Sequence, residues 1–444
     1  MCEDPKKVES LFLHNLFKDF SESGLGYCVL RNYDQLPFSL GGGDLDLAVL
    51  PEHMDLAAKC VADVGAEYGA TILMDYKSSG HMIRLLGCHE NEWWGAAVDL
   101  FPAMEYKGVA YLPAIYLIDN AKDYKGVRVA NDVDASVTAL IKELLANGVS
   151  RKGYFKEVAT AYRADNDRVI TLLDKMFSSA GVDALIQVLK HEEPSKREFA
   201  RCVTELRREV VRRGWISKLP DRLGNLWRRL TRVIVPPGRA VAVMGTDGSG
   251  KTTLINAMMP VLGEVTHNEL QYKHLRPGLL PALSAVTKGK SSCEDETVAR
   301  PHEKKPSGWM MSLVRLMYYA TDYYLGYWVK VYPNLMKRAH ICIFDRYYYD
   351  FLIDPRRMRI SLPRWIVAAV FKLAPQPSLV LCLGGEPETI YQRKPETSLD
   401  EVTRQVENLK AFSMENDRAV WIDTTNSVSK SADQSLTAIQ RINL

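Results

Sequence analysis

Hydrophobic and polar positions divide the chain into stretches of different period. Up to about residue 125, short apolar runs alternate with polar turns. GYCVLRN, DLDLAVL, HMIRLLG and AAVDLFP have the length and composition of strands, and HMDLAAKCVADVGAEYG, between the second and third, has helical spacing. From 131 to 190 the strand signal disappears, and VDASVTALIKELLANG and NDRVITLLDKMF carry apolar residues at helical intervals. Beyond Pro236-Pro237, apolar runs return as RAVAVMG, HICIFD, SLVLCLG and AVWIDT, with helical stretches between them. Near-continuous apolar strands separated by helices predict a parallel sheet covered on both faces. The chain of 444 residues is too long for one core. The pattern predicts an α/β protein in three parts: an α+β domain over 1–128, a helical segment with a basic linker over 129–235, and a parallel α/β domain over 236–444.

Composition narrows the function classes. Apolar content of 47% with 25% charged residues is globular, and a net charge of +3 argues against a wholesale nucleic-acid binder. The charge is local instead: residues 196–232 hold twelve Lys and Arg against four acids, a net +8, together with Trp215 and Trp227. In WISKLPDRLGNLWRRL, Trp215, Leu219, Leu223, Leu226, Trp227 and Leu230 are spaced as on a helix that Pro220 interrupts. Such a segment could dock on a neighbouring domain, which is the commoner use of that spacing, or lie peripherally at an anionic membrane surface. The eight cysteines are scattered without a CxxC pair, as in a reduced compartment. The N-terminus lacks a signal-type apolar core, and WIVAAVF is too short to span a bilayer. The expectation is a soluble cytoplasmic protein.

The clearest chemistry lies in GTDGSGKTT, residues 245–253. Gly245 to Thr252 fits G-x-x-x-x-G-K-[ST], with a buried-type strand before it and a helical stretch after it. Glycines 245, 248 and 250 let backbone N–H groups turn inward as an anion nest at a helix N-terminus. Asp247, Ser249 and Thr253 complete the loop. Lys251 would add a point charge to the β- and γ-phosphates of ATP, and Thr252 would offer its hydroxyl to Mg²⁺.

The loop resembles the G-x-D-G-x-G-K-[ST]-T loop of the thymidylate kinase family, and further matches follow in order. ICIFDRYYYD is similar to that family's strand ending in Asp-Arg-aromatic. PSLVLCLGGEPETIYQRK is similar to its next strand and the start of its arginine-bearing lid, and AVWIDTTNSVSKSADQSLTAI to its closing strand and helix. The resemblance spans about 238–444. It implies a P-loop kinase in which Lys251, Asp345, Arg346 and Arg393 are catalytic, Thr252 and Asp345 serve the metal, and Asp247 faces the acceptor. The match fails where a Thr-Arg-Glu-Pro-Gly stretch should stand: this chain reads YKHLRPGLLP at 272–281, which argues against dTMP as acceptor. DFLIDPRRMRI then places Arg356, Arg357 and Arg359 near the expected acceptor site. Arginine forks hold carboxylate or phosphate bidentately, so a charged acceptor such as a sugar acid, a sugar phosphate or a nucleotide is expected. The H-x-R-P and D-P-x-R stretches resemble kinase-like sequences of bacterial surface-polysaccharide systems. The Tyr318, Tyr319, Tyr323 and Tyr327 stripe reads first as packing, with Asp322 available to a hydroxyl-rich acceptor.

LGGGDLDLAVL puts Asp44 and Asp46 on one face of a strand, and Asp99 sits in a similar strand later. Converging carboxylates can hold Mg²⁺. The arrangement resembles the polymerase-β-like nucleotidyltransferase superfamily over about 20–110, which would bring a second NTP. That superfamily's upstream Gly-Ser or Gly-Gly is replaced here by Arg31-Asn32, and His81 and Arg84 could point into the same cleft. The combined expectation is an ATP- and Mg²⁺-dependent kinase of a small acceptor fused to a nucleotidyltransferase-like domain. The competing expectation is an ATP-regulated binding protein whose N-terminal site only recognises a partner.

Overall fold

The structure, a computed structural model, describes residues 7–149, 153–191, 195–217, 219–281, 308–338, 340–355 and 357–443. Side chains at 214–223, 225, 337, 338 and 443 also lie outside the described set. The chain folds as two compact units, Met1–Thr231 and Arg232–Leu444.

The first unit is built on a seven-stranded mixed sheet. Its strands are β1 (Tyr27–Val29), β2 (Leu45–Val49), β3 (Ala70–Lys77), β4 (His81–His89), β5 (Glu92–Phe101), β8 (Lys122–Tyr124) and β9 (Val127–Val129), ordered β3-β4-β5-β2-β1-β9-β8. A separate hairpin pairs β6 (Ala103–Tyr106) with β7 (Val109–Pro113). β2 and β5 run parallel with Asp46 directly opposite Asp99, and this register puts the two carboxylates side by side. One face is covered by the helices Lys7–Glu22 and Met54–Glu67. Phe12, Leu13, Leu16, Phe17 and Phe20 recur at i, i+3 or i+4 and bury against Trp94, Val98 and Leu100. The other face carries the helices Asp132–Asn147, Tyr154–Ala164, Asn166–Met176 and Ser179–Leu189, with Lys196–Ser217 packed on them in the same apolar core as Ala48 and Phe101. The middle helices therefore share their core with the strands before them. The stretch from Trp215 to Leu230 is divided between two helices, Lys196–Ser217 and Leu219–Ile234, with Pro220 in the first turn of the second, where proline is tolerated. Leu226, Trp227 and Leu230 are exposed on that second helix. Among the described residues no helix is long and apolar enough to cross a membrane.

The second unit is an α/β layer with an all-parallel five-stranded sheet. β10 (Arg239–Gly245) is central, flanked by β12 (Ile341–Asp345) and β13 (Leu379–Gly384), with β11 (Leu270–His274) and β14 (Ala419–Asp423) at the edges in the order β11-β12-β10-β13-β14. β10, β12 and β13 are apolar and buried nearly throughout, as strands covered on both faces must be. The half-exposed edge strand β11 lacks that signature.

One buried carboxylate fixes the loop after β11. Asp322, fully buried where the helix Trp309–Thr321 passes into a π-helical stretch, accepts from the backbone N–H groups of Gly278 (3.1 Å), Leu279 (2.7 Å) and Leu280 (2.9 Å) and pairs with Arg276 at 3.4 Å. Both oxygens are used to hold the loop after β11, so the expected contact with a hydroxyl-rich acceptor is replaced by a structural one. Tyr323 and Tyr327 are buried in the core, and Tyr323 donates to the carbonyl of Leu275 in the same loop. Replacing Asp322 with alanine should lower the stability of this unit by about 3–5 kcal/mol, as expected when a buried, fully bonded charge loses its place. The shift of the urea unfolding transition checks this, and a change below about 1 kcal/mol would contradict the assigned role.

Candidate functional site

The site of the second unit forms at the C-terminal ends of β10 and β12, where ligands of open parallel sheets gather. β10 ends at Gly245, the chain turns through Thr246–Gly250, and the helix Lys251–Thr266 begins at once. Gly248 and Gly250 both adopt φ +84°, a left-handed value costly for other residues. A Cβ on Gly248 would stand 2.8 Å from the carbonyl oxygen of Ile390 and 3.1 Å from Cβ of Lys394. The loop is thus packed closely beneath the segment expected to carry the lid.

Inside the loop, the buried ammonium of Lys251 donates to the carbonyls of Gly245 at 3.1 Å and Thr246 at 2.8 Å. Burial, with the Arg346 guanidinium as the next cause, depresses its pKa to about 7, against the opposing pull of Asp247 and Asp345. The Thr246 and Ser249 hydroxyl oxygens are buried with no hydrogen-bond partner among the described residues. A polar cradle with unused groups and a half-neutral lysine is suited to a polyanion that brings several acceptor oxygens and restores the ammonium charge.

The charges around the loop are arranged by β12. Asp345 ends that strand and Arg346 follows it at φ +76°. Asp345 Oδ2 accepts from the Tyr272 hydroxyl at 2.9 Å and lies 3.6 Å from His274 Nδ1, while Oδ1 is buried and unpartnered. Burial alone would raise the Asp345 pKa, but His274, Lys251 and Tyr272 hold it below the ordinary value. His274 is the register partner of Asp345 across β11 and β12, and Tyr272 lies two residues back on the same face. Arg346 is buried and forked between Asp350 (2.9 Å) and Asp247 (2.7 Å), which keep it fully charged despite burial. The other oxygen of Asp247 is bonded to Arg357. Burial is outweighed there by Arg346, Arg357 and Lys251, so the Asp247 carboxyl sits well below the usual carboxylate range.

The structure therefore brings Asp247, Lys251, Asp345 and Arg346 together. Thr252 and Thr253 are exposed in the first turn of the helix, as groups facing a ligand or solvent would be. Arg393, at the end of the helix Pro387–Arg393, is bonded to the Thr424 carbonyl at 2.9 Å. Arg359 lies two residues beyond Arg357, and Arg356 lies outside the described residues. The sequence reading missed Tyr272, His274, Asp350 and the contact of Arg357 with the loop. Strand register carries the first two; His274 opens the H-x-R-P stretch, but no local motif marks Tyr272. A groove of about 1030 Å³ lined in part by Arg239, Ser378, Arg418 and Arg441 lies at the opposite ends of these strands, away from this chemistry.

In the first unit, Asp44, Asp46 and Asp99 each present an oxygen within 4.8 Å of the others. Asp46 is 1% exposed and its Oδ1 has no partner. The neighbouring cations are arginines of the chain. Arg31 donates to Asp46 and lies 3.2 Å from Asp44, and Arg84 donates to Asp99 at 2.6 Å. Burial raises the Asp99 pKa, partly countered by Arg84. His81 turns instead to Asp75, at 2.6 Å, and does not join the cluster.

No protein-family model matches the chain, and no curated protein does. Among solved structures, the thymidylate kinase from Ehrlichia chaffeensis aligns at 17% identity over 46% of this chain and 100% of that one, with a TM-score of 0.33. What the chain can do is carried by the geometry of its loop, not by this likeness.

The depressed pKa of Lys251 fixes a pH dependence. With a folded value of about 7 against an ordinary 10.5, the unfolded chain binds more protons than the folded one between those limits, so this group makes stability rise with pH across that window. Lys251→Met should remove that component. The stability of the native protein relative to the variant should rise from pH 7 to pH 10 in urea titrations, and a difference that stays flat would contradict the buried, deprotonating lysine.

Proposed function

We propose that the second unit is a kinase: an ATP- and Mg²⁺-dependent phosphotransferase that moves the γ-phosphoryl group to a small acceptor other than dTMP. The observation that carries this reading is the buried Lys251 ammonium inside the Gly245–Thr252 loop, beside hydroxyls that the fold leaves unbonded. Phosphoryl transfer asks chiefly for positioning and for cations around the spreading charge of the γ-phosphate. The loop N–H groups and Lys251 would hold the phosphates. Arg346 is pinned by two carboxylates and offers a preorganised charge that needs no reorientation during reaction. The donor set also fits a hard cation, since Thr252 has an exposed hydroxyl and Asp345 an unused buried oxygen. Mg²⁺ bound there would neutralise phosphate oxygens and polarise the transferred group. Asp247, held far below the ordinary carboxylate range, is a poor base and would orient an acceptor hydroxyl instead of deprotonating it.

The test is ATP consumption with products read by mass spectrometry, across pools of sugars, sugar acids, sugar phosphates and nucleoside monophosphates. A new phosphorylated species should form and should fall by roughly 10²–10³-fold in Lys251→Ala. Tight ATP binding without product from any pool would contradict the kinase reading.

For the first unit we propose a divalent-cation site on Asp44, Asp46 and Asp99, with nucleotidyl transfer as the chemistry that the sequence resemblance implies. Arg31 holds the place of positive charge on Asp44 and Asp46, so a metal must displace it. Arg31→Gln should tighten Mn²⁺ binding at least about fivefold, because a unit charge about 4 Å away is worth about 1 kcal/mol even in water. Calorimetric titration checks this, and unchanged or weaker binding would contradict it.

A further inference from the structure

Among the described residues, two arginines near the loop, Arg315 and Arg359, have no acidic partner. The helix Trp309–Thr321 is clamped to the segment 357–361 through serines: the Ser312 and Ser361 hydroxyls lie 3.0 Å apart, and Ser361 N–H donates to Ser312 Oγ at 3.1 Å. Arg315 stands three residues after Ser312, on the same face of the helix, and Arg359 stands two residues before Ser361. The clamp therefore brings the two guanidinium groups to one seam. The Nε atoms of both are buried and have no hydrogen-bond partner among the described residues. The acids on the neighbouring elements are already committed. Asp247 is bonded to Arg346 and Arg357, Asp322 to Arg276 and the loop after β11, Asp350 to Arg346, and Asp354 to Gln405.

A guanidinium cannot escape burial by losing its proton, so two such groups close enough to feel each other's charge raise each other's cost. Burial, and then the nearby Arg359 charge, lower the pKa of Arg315. Arg359 also holds φ +56°, a left-handed conformation that a non-glycine residue keeps only where its surroundings enforce it. Chain connection ties the pair to the reaction site, because Arg357, two residues before Arg359, is bonded to Asp247 within the phosphate loop.

We propose that Arg315 and Arg359 form a second anion subsite, which takes a phosphate monoester group carried by the acceptor. This rests on the kinase reading for its place in catalysis, but the subsite itself can be tested without it. Two guanidinium forks supply up to four N–H donors and two positive charges. A phosphate monoester supplies three terminal oxygens and nearly two negative charges, whereas a carboxylate would leave one positive charge unbalanced. The acceptor is then a phosphorylated metabolite, its resident phosphate held on Arg315 and Arg359 and its reacting oxygen turned toward Asp247.

The experiment uses the full chain, with the loop filled by a saturating non-hydrolysable ATP analogue and Mg²⁺, and follows inorganic phosphate binding by calorimetry. Phosphate should bind to the analogue-filled protein, and Arg315→Met and Arg359→Met should each weaken it at least tenfold while the analogue still binds with native affinity, which also shows that the variants are folded. Lys251→Met serves as the second arm. If the analogue fails to bind any form of the protein, the nucleotide reading fails, but phosphate affinity in Lys251→Met must still fall when Arg315→Met is added. Native-like phosphate affinity in both arginine variants would overturn the subsite, and acetate binding as tightly as phosphate would overturn its assignment to a phosphate group.

Discussion

The Asp247 carboxylate, bridging Arg346 and Arg357, is the contact on which the arrangement of the second unit depends. Asp247 belongs to the loop after β10, Arg346 to the end of β12, and Arg357 to the turn beyond it. One carboxylate thereby joins three stretches of chain at the place where the sheet presents its strand ends. Breaking such a partly buried pair takes this partner from Arg357 and leaves Arg346 with Asp350 alone, which costs far more than loss of an exposed ion pair. The same bonds keep Arg346 fixed and Asp247 ionised, so the contact that organises the loop also sets the charge state of the groups expected to act.

Around it, each cation and acid is poised by something further out. Asp350 holds the second arm of Arg346, Tyr272 and His274 hold Asp345, and Asp322 fixes the loop that follows their strand. Lys251 lies at the centre, bonded to the carbonyls of Gly245 and Thr246, with a pKa drawn down to about 7. In the first unit the logic is inverted. There the carboxylates cluster and the arginines Arg31 and Arg84 come to them, so the chain supplies the positive charge that the acids require.

Much of this was legible before folding was considered. The strands RAVAVMG, HICIFD and SLVLCLG lie within a residue of the observed ones, because strands covered on both faces carry continuous apolar runs, and AVWIDT matches the edge strand β14 although that strand is only partly buried. β11 escaped because an edge strand with the sequence LQYKH is half polar and half exposed, and Tyr272 and His274 escaped with it. The helix Lys7–Glu22 has a plain 3.6-residue stripe that a strand-and-turn reading of its surroundings overlooks. The Asp44, Asp46 and Asp99 convergence follows from period two and parallel pairing, but nothing local shows that Arg31 would lie on Asp46. Asp322 was misread for a related reason: a buried acid on a helix looks free until the loop that it bonds, more than forty residues earlier in the chain, is in place.

The central claim is that the loop around Lys251 is a polyphosphate cradle whose lysine regains its charge on binding. Calorimetric titration of a non-hydrolysable ATP analogue at pH 8, in buffers of different ionisation enthalpy, counts the protons exchanged. From a free pKa of about 7, binding should take up close to one proton, and that uptake should vanish in Lys251→Met. Binding with no net proton uptake, or with the same uptake in the variant, would contradict the account.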